Sequence, residues 1–266
     1  MNTNIIIFSK NRACQLELLL RSMKWGIKEF KDIVINILYT YTDGDFEIGY
    51  NKTISLHSDK NILWKKEINF RKNLIEMMDI SKKYTIFFVD DNIFKSPFTF
   101  ENERIKYFDK HDDIACLSLR LHPNLKYCYP ARISQTPPKI NDNGVFSWLR
   151  QEGDYGYPMS LDGHLFKTED ILPLLNILIY DNPNSLESNL ASYPIRKPNM
   201  ICFDKSVIFN NPINKVQTWN DNYHGSISAE FINKKYLSNQ IIDLSTFINI
   251  DNISCHQEID IKFIEK

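Results

Sequence analysis

The chain has 266 residues, of which 43% are hydrophobic and 24% are charged, and its formal net charge at pH 7 is −1. This composition is ordinary for a globular protein with a substantial core, and the length suits one large domain or two small ones. The net charge gives no bulk attraction to nucleic acid or to an acidic membrane, so we expect no nucleic-acid partner. The five cysteines include no Cys-x-x-Cys pair, which argues against a structural zinc site or a dense disulfide framework and indicates a reducing compartment.

Two further absences bear on location. The apolar run Ile5–Phe8 has only four residues, too few for the apolar region of a signal peptide. No apolar run approaches the roughly 20 residues that a membrane span needs. We therefore expect a cytoplasmic protein with no membrane span, with peripheral association at the inner face of the membrane left open.

The first half of the sequence alternates strands and helices. Ile5–Phe8 has the all-apolar pattern of a strand buried on both faces, and a polar turn follows it. The next apolar residues have the spacing of an amphipathic helix: Leu16, Leu19, Leu20 and Met23. The following predicted elements are strands at Asp32–Tyr39 and Ile54–Leu56, a helix carrying Phe70, Leu74, Met77 and Met78, and a strand at Thr85–Val89. Such alternation with short connections predicts a mostly parallel sheet with right-handed crossovers.

The second half is less regular. The predicted strands are Ile114–Leu119, Val145–Leu149, Ser160–Phe166 and Ile201–Phe209. The predicted helices begin at Thr168 and near Ser185, and a further helix covers Ser226–Tyr236. The last 25 or so residues show no clear pattern, and no repeat or linker interrupts the chain.

Two carboxylates and an amide follow directly on the strand Thr85–Val89. Ligands of α/β proteins bind in the crevice beyond the carboxyl ends of the strands. Asp90 and Asp91 at such an edge can hold a hard divalent cation and, through it, a substrate diphosphate. The alternative is a solvated turn, because Asp and Asn favour turns.

Glycine-rich phosphate loops are absent from the sequence. Only 8 of the 266 residues are glycine, and neither a Gly-x-Gly-x-x-Gly nor a Walker motif occurs. A dinucleotide or triphosphate cradled by glycines is therefore disfavoured.

Two motifs of the first half follow predicted strands. The first, Ser9-Lys10-Asn11-Arg12-Ala13 between the first strand and an amphipathic helix, is similar to the opening of family 2-type glycosyltransferases, in which an Asn-Arg pair commonly follows the first strand. The passage Phe-Phe-Val-Asp-Asp-Asn, ending at Asn92, resembles the Asp-x-Asp-type motif of the GT-A fold. The resemblance covers roughly residues 4–95, and it rests more loosely on Leu161–Phe166 and Ser185–Glu187 in the second half.

This resemblance implies an α/β protein of the GT-A fold, with a mostly parallel central sheet flanked by helices. It implies a nucleotide-sugar-binding half at residues 1–110, an acceptor-binding half at 111–240 and a C-terminal tail at 241–266. The implied activity is metal-dependent and hexosyltransferase-like, and it serves polysaccharide biosynthesis. A sugar would move from a nucleotide-diphosphate donor, preferably a UDP-sugar, to a glycan or lipid-linked acceptor.

The resemblance and the residue chemistry together predict the site. The predicted ligands of Mn²⁺ or Mg²⁺ are Asp91, Asn92 and His224. The predicted donor-binding residues are Asn11, Arg12, Asp43, Arg71 and Asp90. The candidate general bases are Glu187 and Asp162, with Asp154 as a weaker alternative. The predicted acceptor-binding residues are Trp148, Tyr155, Tyr157 and His164, with Asp162 and His164 expected on one face of the strand Ser160–Phe166.

Three other function classes fit the sequence less well. A nucleotidyltransferase that makes activated sugars would need a glycine-rich basic loop after the first strand, and Ser9–Cys14 has no glycine. A non-catalytic sugar-binding relative stays open, because the amide of Asn92 contributes no charge to a metal. A phospho-acceptor signalling domain is disfavoured because its acidic pair follows the first strand.

Overall fold

The computed structural model describes residues 2–215 and 224–266. Its strands are β1 (Thr3–Lys10), β2 (Ile35–Thr40), β3 (Ile62–Lys66), β4 (Tyr84–Val89), β5 (Asn92–Phe94), β6 (Ile114–Ser118), β7 (Tyr127–Cys128), β8 (Ile133–Ser134), β9 (Val145–Ser147), β10 (His164–Lys167), β11 (Asn199–Cys202), β12 (Ile208–Asn210), β13 (Gln240–Ile242) and β14 (Phe263–Glu265). Its α-helices are α1 (Ala13–Gly26), α2 (Gly44–Leu56), α3 (Phe70–Met77), α4 (Glu103–Asp109), α5 (Thr168–Ile177), α6 (Pro183–Ser192) and α7 (Ala229–Leu237).

An eight-stranded sheet of order β3-β2-β1-β4-β10-β6-β11-β9 forms the centre of the fold. Strands β1 to β4 are mutually parallel, and β11 is parallel to β6. Strand β10 runs antiparallel between β4 and β6, and β9 is an antiparallel edge strand. The predicted α/β fold with a mostly parallel central sheet flanked by helices is confirmed.

The apolar run in β1 is buried on both faces of the sheet. Ile5 and Ile7 belong to the hydrophobic cluster that includes the buried face of α1, whereas Ile6 and Phe8 belong to the cluster on the opposite face. Side chains alternate along a strand, so neighbouring residues must enter different layers. The continuous run therefore marks a central strand and places its carboxyl end in the middle of the sheet edge.

The predicted strand at Ile54–Leu56 is wrong, because these residues form the last turn of α2. The side chain of Asp43 accepts hydrogen bonds from the backbone N–H groups of Asp45 and Phe46, which starts the helix. The third strand along the chain is instead β3.

The predicted strand at Ser160–Phe166 begins later, at His164. Gly163 precedes it with φ +68°, in the left-handed region that glycine adopts without strain. A Cβ at this position would lie 2.2 Å from Cδ1 of the buried Ile208, so that side chain would have to move to accept any other residue. Asp162 consequently lies on a loop at the sheet edge, and it does not share a strand face with His164.

The C-terminal residues pack against the body of the fold. Strands β13 and β14 pair with each other, and β13 packs near α1 and α7. The backbone beside His256 runs along β12: Asn210 N–H donates to Cys255 O at 2.9 Å and Gln257 N–H donates to Asn210 O at 3.0 Å. This pairing carries His256 to the carboxyl edge of the sheet. The division at residues 110 and 240 stays a prediction.

In residues 2–215 and 224–266, none of the helices has the length and apolar character needed to cross a membrane.

Candidate active site

A cavity of about 620 Å³ opens at the carboxyl ends of β1, β2 and β4. Both halves of the chain and the C-terminal segment contribute to its lining, which includes Arg12, Asp91, Arg120, Tyr157, Asp162, Glu187, Asn210, His224 and His256. Because β1 and β4 are parallel neighbours, their carboxyl ends lie at the same edge of the sheet, and residues 80 positions apart in sequence, such as Lys10 and Asp90, meet there.

Asp90 is an internal anchor of this edge. Its side chain is 4% exposed, and one oxygen, Oδ2, accepts from Ser9 Oγ at 2.8 Å and from Lys10 N–H at 3.1 Å. The other oxygen, Oδ1, accepts from Arg12 Nη1 at 3.0 Å. Because both oxygens are taken by protein donors, Asp90 holds the β1 turn and Arg12 in place.

Arg12 is a fixed cation at the cavity wall. Its Nε donates to Asn214 Oδ1 at 2.7 Å and its Nη2 donates to Asn214 O. Its Nη1 lies 3.5 Å from Oδ2 of Asp91. Burial opposes the charge of the guanidinium, but Asp90 and Asp91 outweigh that cost and raise the pKa of Arg12. The predicted location of Arg12 at the mouth of the first strand is where the structure has it.

Asp91 lines the cavity beside Arg12. Its Oδ1 accepts from Asn210 Nδ2 at 2.8 Å, and its Oδ2 faces Arg12. Burial raises the pKa of Asp91 to about 6, despite the opposing positive charge of Arg12. Asp91 is therefore a carboxylate for which a further positive group in the cavity would be favourable.

Asn92 has a role in the turn rather than in the cavity. Its side chain is 0% exposed, it does not line the cavity, and its Oδ1 accepts from Val89 N–H at 2.9 Å. The prediction that Asn92 binds metal is corrected accordingly. This amide closes the turn between β4 and β5, and because its side chain is buried the turn at Asn92 is not the solvated one that turn propensity predicts.

The cavity offers few ligands for a divalent cation. Within residues 2–215 and 224–266, no group of three or more His, Cys, Asp or Glu is arranged to hold a metal ion. Mg²⁺ in nucleotide sites is commonly bound by one or two carboxylates together with substrate phosphates. Asp91 fits that mode and Asp90 does not, since both oxygens of Asp90 are engaged. His224 is exposed and lines the cavity, so its predicted role as a ligand stays a prediction.

A second arginine, which is buried, lines the cavity. Arg120 is 4% exposed; its Nη1 donates to Asp162 Oδ2 at 3.0 Å and to Asn210 Oδ1 at 3.1 Å. The Nε2 of His256 lies 3.5 Å from the same oxygen of Asp162. Burial would raise the pKa of Asp162, but Arg120 and His256 lower it to about 2. Asp162 is thus a permanently charged partner of Arg120 and a poor proton acceptor.

Glu187 lies on α6, with one oxygen fixed by the loop before β10. Its Oε1 accepts from Ser160 Oγ at 3.0 Å and from Leu161 N–H at 2.9 Å. Burial and the charge of Asp162 raise the pKa of Glu187 above its ordinary value. The capping box of α6 is made by Asn182 and Ser185, so Glu187 has no capping role. Of the two candidate bases, Glu187 has the electrostatic environment that a base requires.

Three predicted donor-binding residues lie outside the cavity lining. Asn11 has φ +56° and accepts from Thr42 N–H at 2.9 Å, so it shapes the turn after β1. Asp43 caps α2. Arg71 donates from Nη2 to Asn176 O. Each of these side chains has a local structural partner, and the predictions that placed them at the donor are corrected.

The predicted acceptor-binding set is reduced to Tyr157. Tyr155 is buried and donates from its hydroxyl to His122 O at 2.6 Å. His164 is buried with Nδ1 at 3.0 Å from Pro158 O, and Trp148 donates from Nε1 to Lys197 O at 2.6 Å. These three do not line the cavity, because their rings serve packing. Asp154 does line it.

Three residues of the site were missed by sequence reasoning. Arg120 begins a polar passage with no periodic pattern, and His256 belongs to a segment that also lacks one. Asn210 is the last residue of the short strand β12, and Asp90 directly follows β4; a polar residue at the end of an apolar strand is the one sequence signal that could have found Asn210.

No protein-family model matches the chain, and no curated protein sequence matches it either. Solved structures to which it is similar include TarS of S. aureus, with a TM-score of 0.45 and 12% identity over 79% of this chain and 36% of that one. Another is the mannosyltransferase PcManGT of Pyrobaculum calidifontis in complex with GDP-Man and Mn²⁺, with a TM-score of 0.43 and 8% identity over 77% and 56% of the two chains. A third is a cytidylyltransferase of Leptospira borgpetersenii, with a TM-score of 0.39 and 10% identity over 70% and 68%.

These similar structures include both the transferase class that the motifs predicted and the nucleotidyltransferase alternative. This chain spans 36% of the TarS chain and 56% of the PcManGT chain. With identities of 8 to 12%, the choice between the two classes rests on the site itself.

Proposed function

We propose that the protein is a glycosyltransferase that moves a sugar from a nucleotide-diphosphate donor to a glycan or lipid-linked acceptor. The observation that carries the proposal is the pairing of two different carboxylates in one cavity. Asp91 lies beside the fixed cation Arg12 at the ends of β1 and β4, whereas Glu187 faces the same cavity from α6 with a raised pKa. The part of the cavity at Arg12 and Asp91 suits a diphosphate leaving group, and the part at Glu187 suits an acceptor hydroxyl.

At the donor end, Arg12 binds and orients the diphosphate through its remaining N–H groups. In this proposal Asp91 and His224 would hold Mn²⁺ or Mg²⁺ at the donor end. Such a cation would neutralise the charge that develops on the departing diphosphate. We take a UDP-sugar as the preferred donor, on the resemblance to family 2-type enzymes.

At the acceptor end, Glu187 accepts the proton of the attacking hydroxyl. Its Oε1 is held by Ser160 and Leu161, which fixes the direction of the carboxylate and leaves Oε2 as the basic atom. A base that acts directly on the acceptor corresponds to a single displacement, which inverts the anomeric centre. Tyr157 lines the same end of the cavity and offers an aromatic face to a sugar ring.

The β1 turn argues against a nucleotidyltransferase. A triphosphate cradle needs backbone N–H groups that point at the ligand. Here Lys10 N–H donates to Asp90 at 3.1 Å, Asn11 N–H to Thr40 O at 3.2 Å and Arg12 N–H to Tyr50 Oη at 3.3 Å. All three groups are engaged within the protein.

The test is a thermal-shift screen of UDP-, GDP-, CMP- and dTDP-sugars with and without Mn²⁺, followed by assays of sugar transfer and donor hydrolysis. A donor specific to the folded state raises the melting temperature. We expect Asp91→Asn to abolish the Mn²⁺-dependent part of the shift and the transfer. Asp43→Asn is the matched control, because Asp43 lies outside the cavity and Asn caps a helix as well as Asp does.

Stabilisation by none of the four donor classes would contradict the proposal and favour a sugar-binding protein without transferase activity. Release of pyrophosphate from a nucleoside triphosphate and a sugar phosphate would establish the nucleotidyltransferase alternative instead.

A further inference from the structure

A chain of hydrogen bonds crosses the floor of the cavity and joins the two carboxylates of the proposed reaction. On one side Arg120 Nη1 donates to Asn210 Oδ1 at 3.1 Å, and Asn210 Nδ2 donates to Asp91 Oδ1 at 2.8 Å. On the other side Arg120 Nη2 donates to Ser160 Oγ at 2.8 Å, and Ser160 Oγ donates to Glu187 Oε1 at 3.0 Å. We call these the Asn210 arm and the Ser160 arm.

Both arms have the same direction of donation, outwards from Arg120. A guanidinium has only donors, so the atoms that meet it, Asn210 Oδ1 and Ser160 Oγ, must accept. The amide of Asn210 then presents its N–H to Asp91, and the hydroxyl of Ser160 presents its O–H to Glu187. The charge of Arg120 therefore fixes the orientation of each intermediate group, and no reversed arrangement of either arm is available.

The three residues that form this chain of hydrogen bonds are buried, so the loss of any one partner is energetically costly. Arg120, Ser160 and Asn210 are 4%, 1% and 1% exposed. Water therefore cannot replace a lost partner without entering the floor of the cavity, and an unsatisfied buried donor or acceptor is costly. The planar fork of an arginine can serve two arms at once, whereas a lysine ammonium would have to reach both from one atom.

We propose that Arg120 is a positioning residue that holds Asp91 and Glu187 in fixed orientations through two separate arms, one ending at each carboxylate. The assignment of Asp91 and Glu187 to the donor and the acceptor rests on the proposed function. The arms themselves rest on the contacts above. Arg120 touches neither reacting atom in this scheme, and it acts through Asn210 and Ser160.

The surroundings of Glu187 define what a change in the Ser160 arm should do. The charged or titratable groups that face it are Asp162 from the loop before β10, Arg120 from the end of β6, and Tyr157 from the loop after β9. The Leu161 N–H also donates to Glu187 Oε1. Loss of the Ser160 hydroxyl removes one donor to the charged carboxylate and leaves these other groups in place.

The first experiment measures the protonation of Glu187 directly, in the protein without substrate. The chain is labelled with [5-¹³C]glutamate, the Glu187 carboxyl resonance is assigned by its absence in Glu187→Gln, and its shift is followed against pH. We expect Ser160→Ala to raise the midpoint by about one pH unit, because a hydrogen bond to the charged form is lost. Asn210→Ala should leave this midpoint unmoved.

The matched control is Ser206→Ala. Ser206 is also fully buried and donates from Oγ to Asn252 Oδ1 at 2.8 Å, but it does not line the cavity. A Glu187 midpoint in Ser160→Ala equal to that of Ser206→Ala would overturn the Ser160 arm. A shift of equal size in Asn210→Ala would overturn the separation of the two arms.

The second experiment concerns the Asn210 arm, which ends at Asp91, and measures the affinity for UDP and GDP by calorimetry in the presence of Mn²⁺. We expect Asn210→Ala to weaken nucleotide binding about tenfold, because Asp91 loses the donor that orients it, and Ser160→Ala to leave binding unchanged. Arg120→Lys should fold with its charge retained and should show both effects together. Wild-type values of both readouts in Arg120→Lys would refute the positioning role.

Failure of the proposed function would look different. If neither nucleotide bound the wild-type protein and no sugar were transferred, the glycosyltransferase proposal would fail, and the Glu187 titration would still decide whether the Ser160 arm exists.

Discussion

Replacing Glu187 by Gln separates the chemical role of this residue from its structural one. The amide oxygen of Gln can accept the same two hydrogen bonds, from Ser160 Oγ and Leu161 N–H, that Glu187 Oε1 accepts at 3.0 and 2.9 Å. The side chain keeps its length and shape, and the atom that loses its basicity is Oε2. We therefore expect Glu187→Gln to fold with a melting temperature close to that of the wild type.

The expected cost to turnover follows from the task assigned to the carboxylate. General base catalysis by a positioned side chain contributes about 100- to 10,000-fold. A 100-fold loss corresponds to about 2.7 kcal/mol of lost transition-state stabilisation. Because the proposed donor site is at Arg12 and Asp91, away from Glu187, kcat should carry the loss, and the KM for the nucleotide sugar should stay within about threefold of the wild type.

The assay is steady-state sugar transfer at saturating donor, measured from pH 4 to pH 8. The pKa of Glu187 is raised by burial and by Asp162, so the acid limb of wild-type kcat/KM should lie above the ordinary glutamate range, and activity should fall as the pH drops through it. Glu152→Gln, at an exposed glutamate outside the cavity, is the matched control and should behave as the wild type.

Turnover of Glu187→Gln within tenfold of the wild type would refute the assignment of the base. A large loss accompanied by a clearly lower melting temperature would instead show that the charge of Glu187 is structural.

Three further predictions concern stability, and each has its own measurement. Arg12→Met should lower the free energy of unfolding by about 3–5 kcal/mol, because it leaves Asp90 buried without its cation. In urea titrations the double variant Arg12→Met/Asp90→Asn should be more stable than Arg12→Met alone. If the effects of the two substitutions simply add, Arg12 and Asp90 are not an energetically coupled ion pair. Asn92→Ala should lower the free energy of unfolding by about 1–3 kcal/mol, because Val89 N–H loses its acceptor. The Mn²⁺ dependence of donor binding should stay that of the wild type. A changed Mn²⁺ affinity at unchanged stability would show instead that Asn92 is a metal ligand. Burial lowers the pKa of His164 to about 3, so between about pH 6.5 and pH 3 this histidine is protonated in the unfolded chain and neutral in the folded one. The free energy of unfolding should therefore fall by about 1.4 kcal/mol for each unit by which the pH drops from 6.5 towards 3. If His164→Gln shows the same dependence of stability on pH as the wild type, His164 is not its source.

The structure and the sequence agree most closely around β1 and β4. The all-apolar runs of these strands and the polar residues that follow them were readable because a strand buried on both faces has a distinctive composition. Parallel strands then place their carboxyl ends at one edge, so the meeting of Arg12 with Asp90 and Asp91 followed from the predicted topology. The motifs alone predict Asp91 and Glu187 as site residues, and both line the cavity.

Predictions failed where a side chain had two physically similar uses. Asn92 and Asp43 carry the oxygen atoms of a ligand or of a turn, and the difference lies in which backbone N–H group is nearest. Tyr155 and Tyr157 are two positions apart in the same loop, yet one ring is buried and the other lines the cavity. Local pattern does not distinguish these cases, since burial is decided by elements distant in the chain.

The sequence by itself determined the class of the fold, the edge of the sheet at which the candidate site lies and the acidic motif at that edge, because these depend on short-range apolar patterns and on strand direction. Only the tertiary structure decided which carboxylate faces the cavity, which one is neutralised by Arg120, and that His256 and Asn210 belong to the site. The physical reason is that a pKa and a hydrogen-bond partner depend on charges and dipoles within a few ångströms, and these neighbours come from residues up to 202 positions apart, as in the contact of Arg12 with Asn214.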